Sequence, residues 1–182
     1  IIDVLKESKY FENTKPFIVH RLDKETSGVL IVAKNREYAQ LFTSLFRIRK
    51  IHKTYIAITY GRVLKSINKM EDNLTSYDND KKIIQKAVSN IKLLKSSPEY
   101  SYVELNPITG RKHQLRKQLY NIGNPIVGDD KYFINKKVSK IKIKSKNLML
   151  HAYKIKFMIG NIQYNFKAEY NNVFEEFLKT NF

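Results

Sequence analysis

The apolar positions of the chain change period several times, and each change marks an element. Residues 17–22 (FIVHRL) and 29–34 (VLIVAK) are short runs rich in β-branched side chains, separated by the polar DKETSG. That pattern predicts a strand, a glycine-containing turn and a second strand. Tyr38, Leu41, Phe42, Leu45 and Phe46 then recur at i, i+3, i+4, i+7 and i+8. This is the spacing of an amphipathic helix, and Arg47, Arg49 and Lys50 suit its negative C-terminal end. Residues 52–61 return to alternation, with Tyr55 and Tyr60 on the strand, whereas polar, aperiodic 65–82 reads as a surface loop. Two more strands are expected over 86–94 and 100–105, joined by a turn at Ser96-Ser97-Pro98. Asn106-Pro107-Ile108-Thr109-Gly110-Arg111 reads as a turn into a helix over 112–121, with Thr109 as N-cap and Gly123 and Pro125 as stops. Strands over 147–159 and 162–168 flank Gly160-Asn161, and a helix over 172–179 follows. Residues 1–6 read as the end of a helix begun earlier. Many strands with scattered helices predict an α+β, mixed-sheet domain.

Composition narrows the chemistry. The chain has 182 residues, 42% of them apolar, with 12 Tyr and 10 Phe, enough for one domain with a real core. No apolar run approaches the ~20 residues of a membrane-spanning helix, and the first residues do not form a signal peptide. The absence of cysteine excludes disulfides, thiol nucleophiles and cysteine-based zinc sites, and a reducing, cytoplasmic setting is expected. The four histidines are scattered without i, i+4 metal spacing or an accompanying carboxylate cluster. A glycine-rich phosphate loop and a serine nucleophile elbow are also missing. No metal and no cofactor are expected, and a metal-dependent nuclease is disfavoured.

The net charge of +17 points to a polyanionic partner such as nucleic acid. Part of that charge reflects background composition, because 27 Lys accompany only 7 Arg in a chain rich in Ile and Asn. Each Arg is then the more informative, since an ammonium cannot replace a guanidinium at bidentate sites. Residues 131–146, with seven Lys in sixteen positions, read as a flexible basic insert and a candidate for phosphate contacts.

Two polar segments could carry chemistry. In HRLDKETSG at 20–28, Asp23 is either a turn-former bonding backbone N–H groups or a placed carboxylate. In TGRKHQLR at 109–116, Arg111, His113, Gln114 and Arg116 crowd donors into the first turns of a helix. Positive charge there opposes the macrodipole, so a phosphate or a carboxylate such as Asp23 would be a fitting counter-ion; a solvated basic face is the alternative. Tyr55 is either a core-facing strand aromatic or a polar tip in a site. His151, among apolar neighbours, reads as a satisfied core histidine.

Taken together the segments HRLDKETSGVLIVAK (20–34), KTYIAITYG (53–61), NPITGRKHQLR (106–116), GNPIVGDDKY (123–132) and LHA (150–152) resemble the RluA-type pseudouridine synthases, in that family's order and spacing. The resemblance implies the α+β pseudouridine synthase catalytic fold, a mixed, mostly antiparallel β-sheet flanked by helices. It implies one catalytic domain over 1–182, N-terminally incomplete, since the family's opening strands with an Asn-Lys-Pro motif and its small S4 domain have no counterpart. By resemblance, Asp23 is the catalytic aspartate, Tyr55 the active-site tyrosine and Arg116 the arginine that ion-pairs with the aspartate. His20, Arg21, Arg111, His113 and Gln114 would contact the RNA, and Leu150 would line the base pocket. The substrate is expected to be RNA, large-subunit rRNA ahead of tRNA, acted on by a cytoplasmic monomer with no cofactor. The residue types suit the reaction: a carboxylate can be a nucleophile, a guanidinium would supply the opposing charge, and a phenol can relay a proton. Whether Asp23 attacks C1′ or C6, or takes the C2′ proton, stays open. A non-catalytic RNA-binding or ribosome-assembly protein is the alternative.

Overall fold

The computed structural model describes residues 2–11, 14–79, 81–133 and 147–182. A short helix, α1 (Ile2–Lys6), precedes three two-residue strands, β1 (Phe17–Ile18), β2 (Ser27–Gly28) and β3 (Val32–Ala33). Helix α2 (Arg36–Arg47) leads into β4 (His52–Tyr60), β5 (Lys69–Asp78), β6 (Lys81–Ser96) and β7 (Tyr100–Pro107). Helix α3 (Gln114–Asn121), β8 (Leu150–Ile159), β9 (Ile162–Lys167) and α4 (Asn172–Asn181) complete the order. The main sheet runs β2-β8-β4-β7-β6-β5, with β9 also on β8. Every pairing in it is antiparallel except β2 with β8, so the mixed, mostly antiparallel α+β architecture is as expected. The basic insert expected over 131–146 lies outside the described residues from 134 onwards.

Ile56, Ile58, Val103 and Leu105 of the central strands pack with Leu115 and Leu119 of α3 and Phe174 of α4 in the larger core. A smaller cluster joins Phe42 of α2 to Ile51, Ile155 and Phe157, where the Phe42 and Phe157 rings meet edge-on at 5.2 Å. Val19, Val29 and Ile31 pack against that smaller cluster. It therefore carries the polypeptide on either side of Asp23. Asn35 caps α2, its side chain accepting the Tyr38 N–H at 2.9 Å.

Three elements differ from the sequence-based expectation. Residues 65–82 are not mainly a loop: ten of them form β5, an edge strand whose buried side chains, among those described, are Met70 and Leu74. Helix α3 holds it through Lys117 to the Thr75 carbonyl (3.0 Å) and Asn121 to Asp72 (2.8 Å). Of the strands expected over 17–22 and 29–34, only Phe17↔Ala33 and Ile18↔Val32 pair. Past Ile18 a side chain replaces the ladder, the Ile31 N–H donating to His20 Nε2 at 2.8 Å.

Ser27–Gly28, expected within the turn, is the third difference. It pairs in parallel with His151 and Ala152 of β8. Gly28 has φ +111°, and a Cβ there would lie 2.2 Å from the Ala152 carbonyl oxygen, so the approach needs glycine. The Ser27 hydroxyl and His151 Nδ1 share a 2.8 Å hydrogen bond, which makes His151 a buried, partnered core residue.

Candidate active site

A cleft of about 850 Å³ opens between the 19–26 segment, the start of β4, and the turn from β7 into α3. His20, Arg21, Asp23, Tyr55, Arg111, His113, Gln114 and Leu150 all line it; Arg116 does not. The fold thus brings eight of the nine expected site residues to one concavity. Their side chains are held in quite different ways.

Asp23 begins a turn, but through its backbone: the Thr26 N–H donates to the Asp23 carbonyl at 2.9 Å. Among the described residues no backbone N–H bonds the carboxylate, which instead faces the His113 imidazole at 3.8 Å, Oδ1 to Nε2. The side chain is 19% exposed, open to the cleft. Of the two readings left by the sequence, the carboxylate is the placed one.

Tyr55 rises from β4 beside a register shift between Thr54 and Tyr55 in the pairing with β8. The extra residue is Tyr153 on β8, so β4 itself keeps its alternation through Tyr55. Its hydroxyl is pushed up to about 12, first by burial and then by the charge on Asp23. Tyr55 is therefore a neutral phenol at neutral pH, close enough to Asp23 to feel its charge. Leu150, 2% exposed at the start of β8, contributes an apolar surface to the same floor.

The His20 ring packs against Phe46 at a tilt of 34°, centroids 4.7 Å apart, and its Nε2 accepts from the Ile31 N–H. An accepting Nε2 requires the neutral ring, and burial, reinforced by Lys53, lowers the imidazole to about 4. His20 organises the wall as well as lining it. Arg21 is exposed at the mouth, and Arg111 is anchored by its Nε to the Lys86 carbonyl at 3.2 Å.

The α3 wall departs from expectation at three residues. Arg116 does not pair with Asp23. Its Nε and Nη2 fork onto both carboxylate oxygens of Asp129 at 2.7 Å each, and Nη2 also reaches Asp130 at 3.3 Å. Arg116 is 5% and Asp129 3% exposed, and this planar two-bond geometry turns the guanidinium away from the cleft. Thr109 is not the N-cap. His113 takes that position in left-handed backbone (φ 54°), and the Thr109 hydroxyl accepts from the Val88 N–H while donating to Gln114 Oε1. Gln114 has no capacity left for substrate. Its Oε1 accepts from Thr109 and the Arg111 N–H, and its Nε2 donates to the Val88 carbonyl and Ser89. Those four bonds exhaust a side-chain amide.

His113 links the two halves. Its Nδ1 lies 2.8 Å from the Tyr132 hydroxyl, and the Arg116 guanidinium stacks over the Tyr132 ring at 5.2 Å. A Tyr132 hydroxyl donating to Nδ1 leaves the imidazole proton on Nε2, the nitrogen facing Asp23. Burial pulls the His113 imidazole below the ordinary histidine range, against the opposing pull of Asp23. Among the described residues Arg116 makes no hydrogen bond or ion pair with Asp23; the two act on each other by charge, with Tyr132 and His113 bonded between them.

Sequence reasoning missed Asp129, Tyr132 and Lys53. A signal existed for each: Asp129 and Tyr132 lie within the quoted GDDKY, and Lys53 stands two strand positions from Tyr55, on the same face. Among the described residues, no group of three or more His, Asp or Glu is arranged to hold a metal ion, and no helix is long and apolar enough to cross a membrane.

A carboxylate open to a cleft, beside a protonated phenol and an imidazole, can attack an electrophilic carbon and pass protons across a bound base. The comparisons fit that geometry. The family described as RNA pseudouridylate synthase matches residues 2–121. The chain is 36% identical over 176 residues to ribosomal large subunit pseudouridine synthase D of Borreliella burgdorferi, covering 92% of this chain and 52% of that protein. It is 39% identical over 150 residues to ribosomal large subunit pseudouridine synthase C of Rickettsia felis, covering 76% and 47%. With tRNA pseudouridine synthase C of Haemophilus ducreyi it shares 34% over 165 residues, 80% of this chain and 68% of that one. Among solved structures, human RNA pseudouridylate synthase domain containing 4 superposes with a TM-score of 0.78 at 26% identity, over 98% of this chain and 80% of that chain. The chain belongs to the RNA pseudouridylate synthase family, in its RluA-type branch. It spans about half the length of the two ribosomal relatives.

Proposed function

We propose that this chain is a single catalytic domain that isomerises uridine to pseudouridine in RNA, with Asp23 as nucleophile, working as a cytoplasmic monomer. The observation that carries the proposal is the Asp23 carboxylate itself, unused by its own turn and facing a cleft floored by Tyr55 and Leu150. The two ribosomal relatives support large-subunit rRNA as substrate; the Haemophilus relative makes tRNA the comparison substrate.

A uridine must leave its stack to reach such a floor, at a cost of a few kcal/mol that loops and bulges lower. Once there, its N–C1′ bond breaks, the base turns, C5 bonds to C1′, and the C5 proton leaves for solvent. Attack by Asp23 stabilises the separated sugar or base as a covalent adduct. Tyr55 holds its own proton in the free protein, so it serves as a relay: it accepts the C5 proton as it passes one on. His113 orients the carboxylate, and its proton on Nε2 steadies the charge until attack.

Tritium release from RNA labelled at uridine C5 tests the reading. Release from large-subunit rRNA, exceeding that from tRNA, is expected. Salt-dependent RNA binding with no release from either RNA would overturn it in favour of a non-catalytic RNA-binding role.

A further inference from the structure

Among the described residues, Lys53 is a half-buried cation of the cleft floor that no hydrogen bond or ion pair answers. It lies on β4 two positions from Tyr55 towards the exposed end of the strand, lines the cleft, and points across it to the turn before α3. A Cβ on Gly110 would sit 3.5 Å from its Nζ. No hydrogen bond or ion pair joins Lys53 to any described residue, and burial pulls its ammonium below the ordinary lysine range. The arginines near it are answered or solvated, and Arg47, Arg49 and Lys112 of the same cleft are exposed. Arg116 is forked onto Asp129, Arg111 is tied to a carbonyl, and Arg21 is solvated at the mouth. An ammonium partly shielded from water and given no counter-ion carries a cost that a bound anion lowers.

We propose that Lys53 binds a phosphodiester oxygen of the nucleotide inserted into the cleft, a contact that rests on the RNA reading above. Position decides between phosphate and base. Two residues of strand set Lys53 about 7 Å outward from Tyr55. A base lying against Tyr55 and Leu150 therefore presents its sugar-phosphate, rather than its carbonyls, at the height of the ammonium. Chemistry decides the same way: a uracil carbonyl is neutral, whereas a phosphate oxygen supplies both acceptor and opposite charge. Gly110 bears on the fit, because its missing side chain leaves the far side of Nζ open to the ligand. Lys53 is a binding and positioning residue here, and the reacting atoms belong to Asp23 and Tyr55.

The test compares wild type, Lys53→Gln and Lys53→Arg on a single-stranded uridine-containing RNA, with thermal unfolding confirming that each variant is folded. The expected result for Lys53→Gln is roughly tenfold weaker binding at low salt. Its slope of log affinity against log salt should be shallower by about 0.7, one single-strand phosphate contact. In tritium release the loss should fall on KM, with Lys53→Arg recovering most of it. An unchanged salt slope in Lys53→Gln, or a fall in kcat at saturating RNA with KM unchanged, overturns the contact. If wild type binds RNA and Lys53→Gln loses the slope, yet no tritium is released, the contact stands and the synthase reading fails. If wild type does not bind the RNA, both fail.

Discussion

The two walls of the cleft are built on opposite plans. The 17–34 wall that bears Asp23 has two-residue strands, a ladder continued by His20, and one glycine pressed against β8. The wall from Thr109 to Leu119 is locked by side chains: Thr109, Gln114, Ser89 and Gln118 form one buried hydrogen-bonded chain, and Arg116–Asp129 a second anchor. In the first wall backbone pairing, with His20 and Ser27, does the holding, and the Asp23 carboxylate takes no part in it. In the second, polar side chains hold the wall, and His113, Arg111 and Lys112 are left to face the cleft. Substitutions at the locked side chains of the second wall should therefore cost stability, whereas in the first wall stability should rest on Gly28 and His20, and a change at Asp23 should cost activity alone.

Removing the second anchor is the most severe way to break that contrast. Arg116→Met leaves the Asp129 carboxylate buried without its guanidinium, an expected loss of about 3–5 kcal/mol in chemical denaturation. A loss below about 1 kcal/mol would mean that solvent, rather than Arg116, compensates Asp129. Next in size, Gly28→Ala forces a Cβ into the Ala152 carbonyl at positive φ, with an expected loss of about 3 kcal/mol. The loss should show as faster hydrogen exchange at the Val29 N–H, which bonds Ala152, and as a drop in turnover because Asp23 is five residues upstream. Unaltered exchange at Val29 would contradict the pairing as the support of that wall.

The smallest effect is a pH dependence. The His20 imidazole is lowered to about 4 in the fold, so between about pH 6.5 and 4 the unfolded chain takes up a proton that the native state refuses. Stability should fall on acidification through that window, by about 2 kcal/mol once partial exposure is allowed for. His113 and His151, also lowered, act in the same direction. His20→Gln, which can still accept from Ile31, should flatten part of the slope; an identical pH profile would remove His20 from the account.

The contrast between walls also explains what could be read in the sequence. Elements with a sustained period, α2, β4, β6 and β7, were legible because burial imposes the period on them. Strand β5 was not, since an edge strand with two buried side chains reads as polar loop. Strand β2 was hidden for another reason: Gly28, which reads as the end of a turn, is also the residue that allows so close a parallel approach to β8. In the α3 wall, Gln114 and Arg116 were recognisable as site-region residues, but their polarity suggested contact with a ligand. In fact they face inward and are saturated by Thr109, Ser89, Val88 and Asp129, partners that no spacing along the chain reveals. Asp23 is the converse case: turn chemistry was correctly legible around it, and its backbone carbonyl, rather than its carboxylate, turned out to supply it.

The isomerisation proposed for this chain requires the Asp23 carboxylate, and an isosteric change isolates it. Wild type and Asp23→Asn, each in stoichiometric excess over large-subunit rRNA, should be compared by nucleoside analysis of the RNA after a single turnover. Pseudouridine is expected in the wild-type sample, none above background with Asp23→Asn, and equal thermal stability and RNA affinity for the two proteins. Pseudouridine formed at comparable rates by both would contradict it.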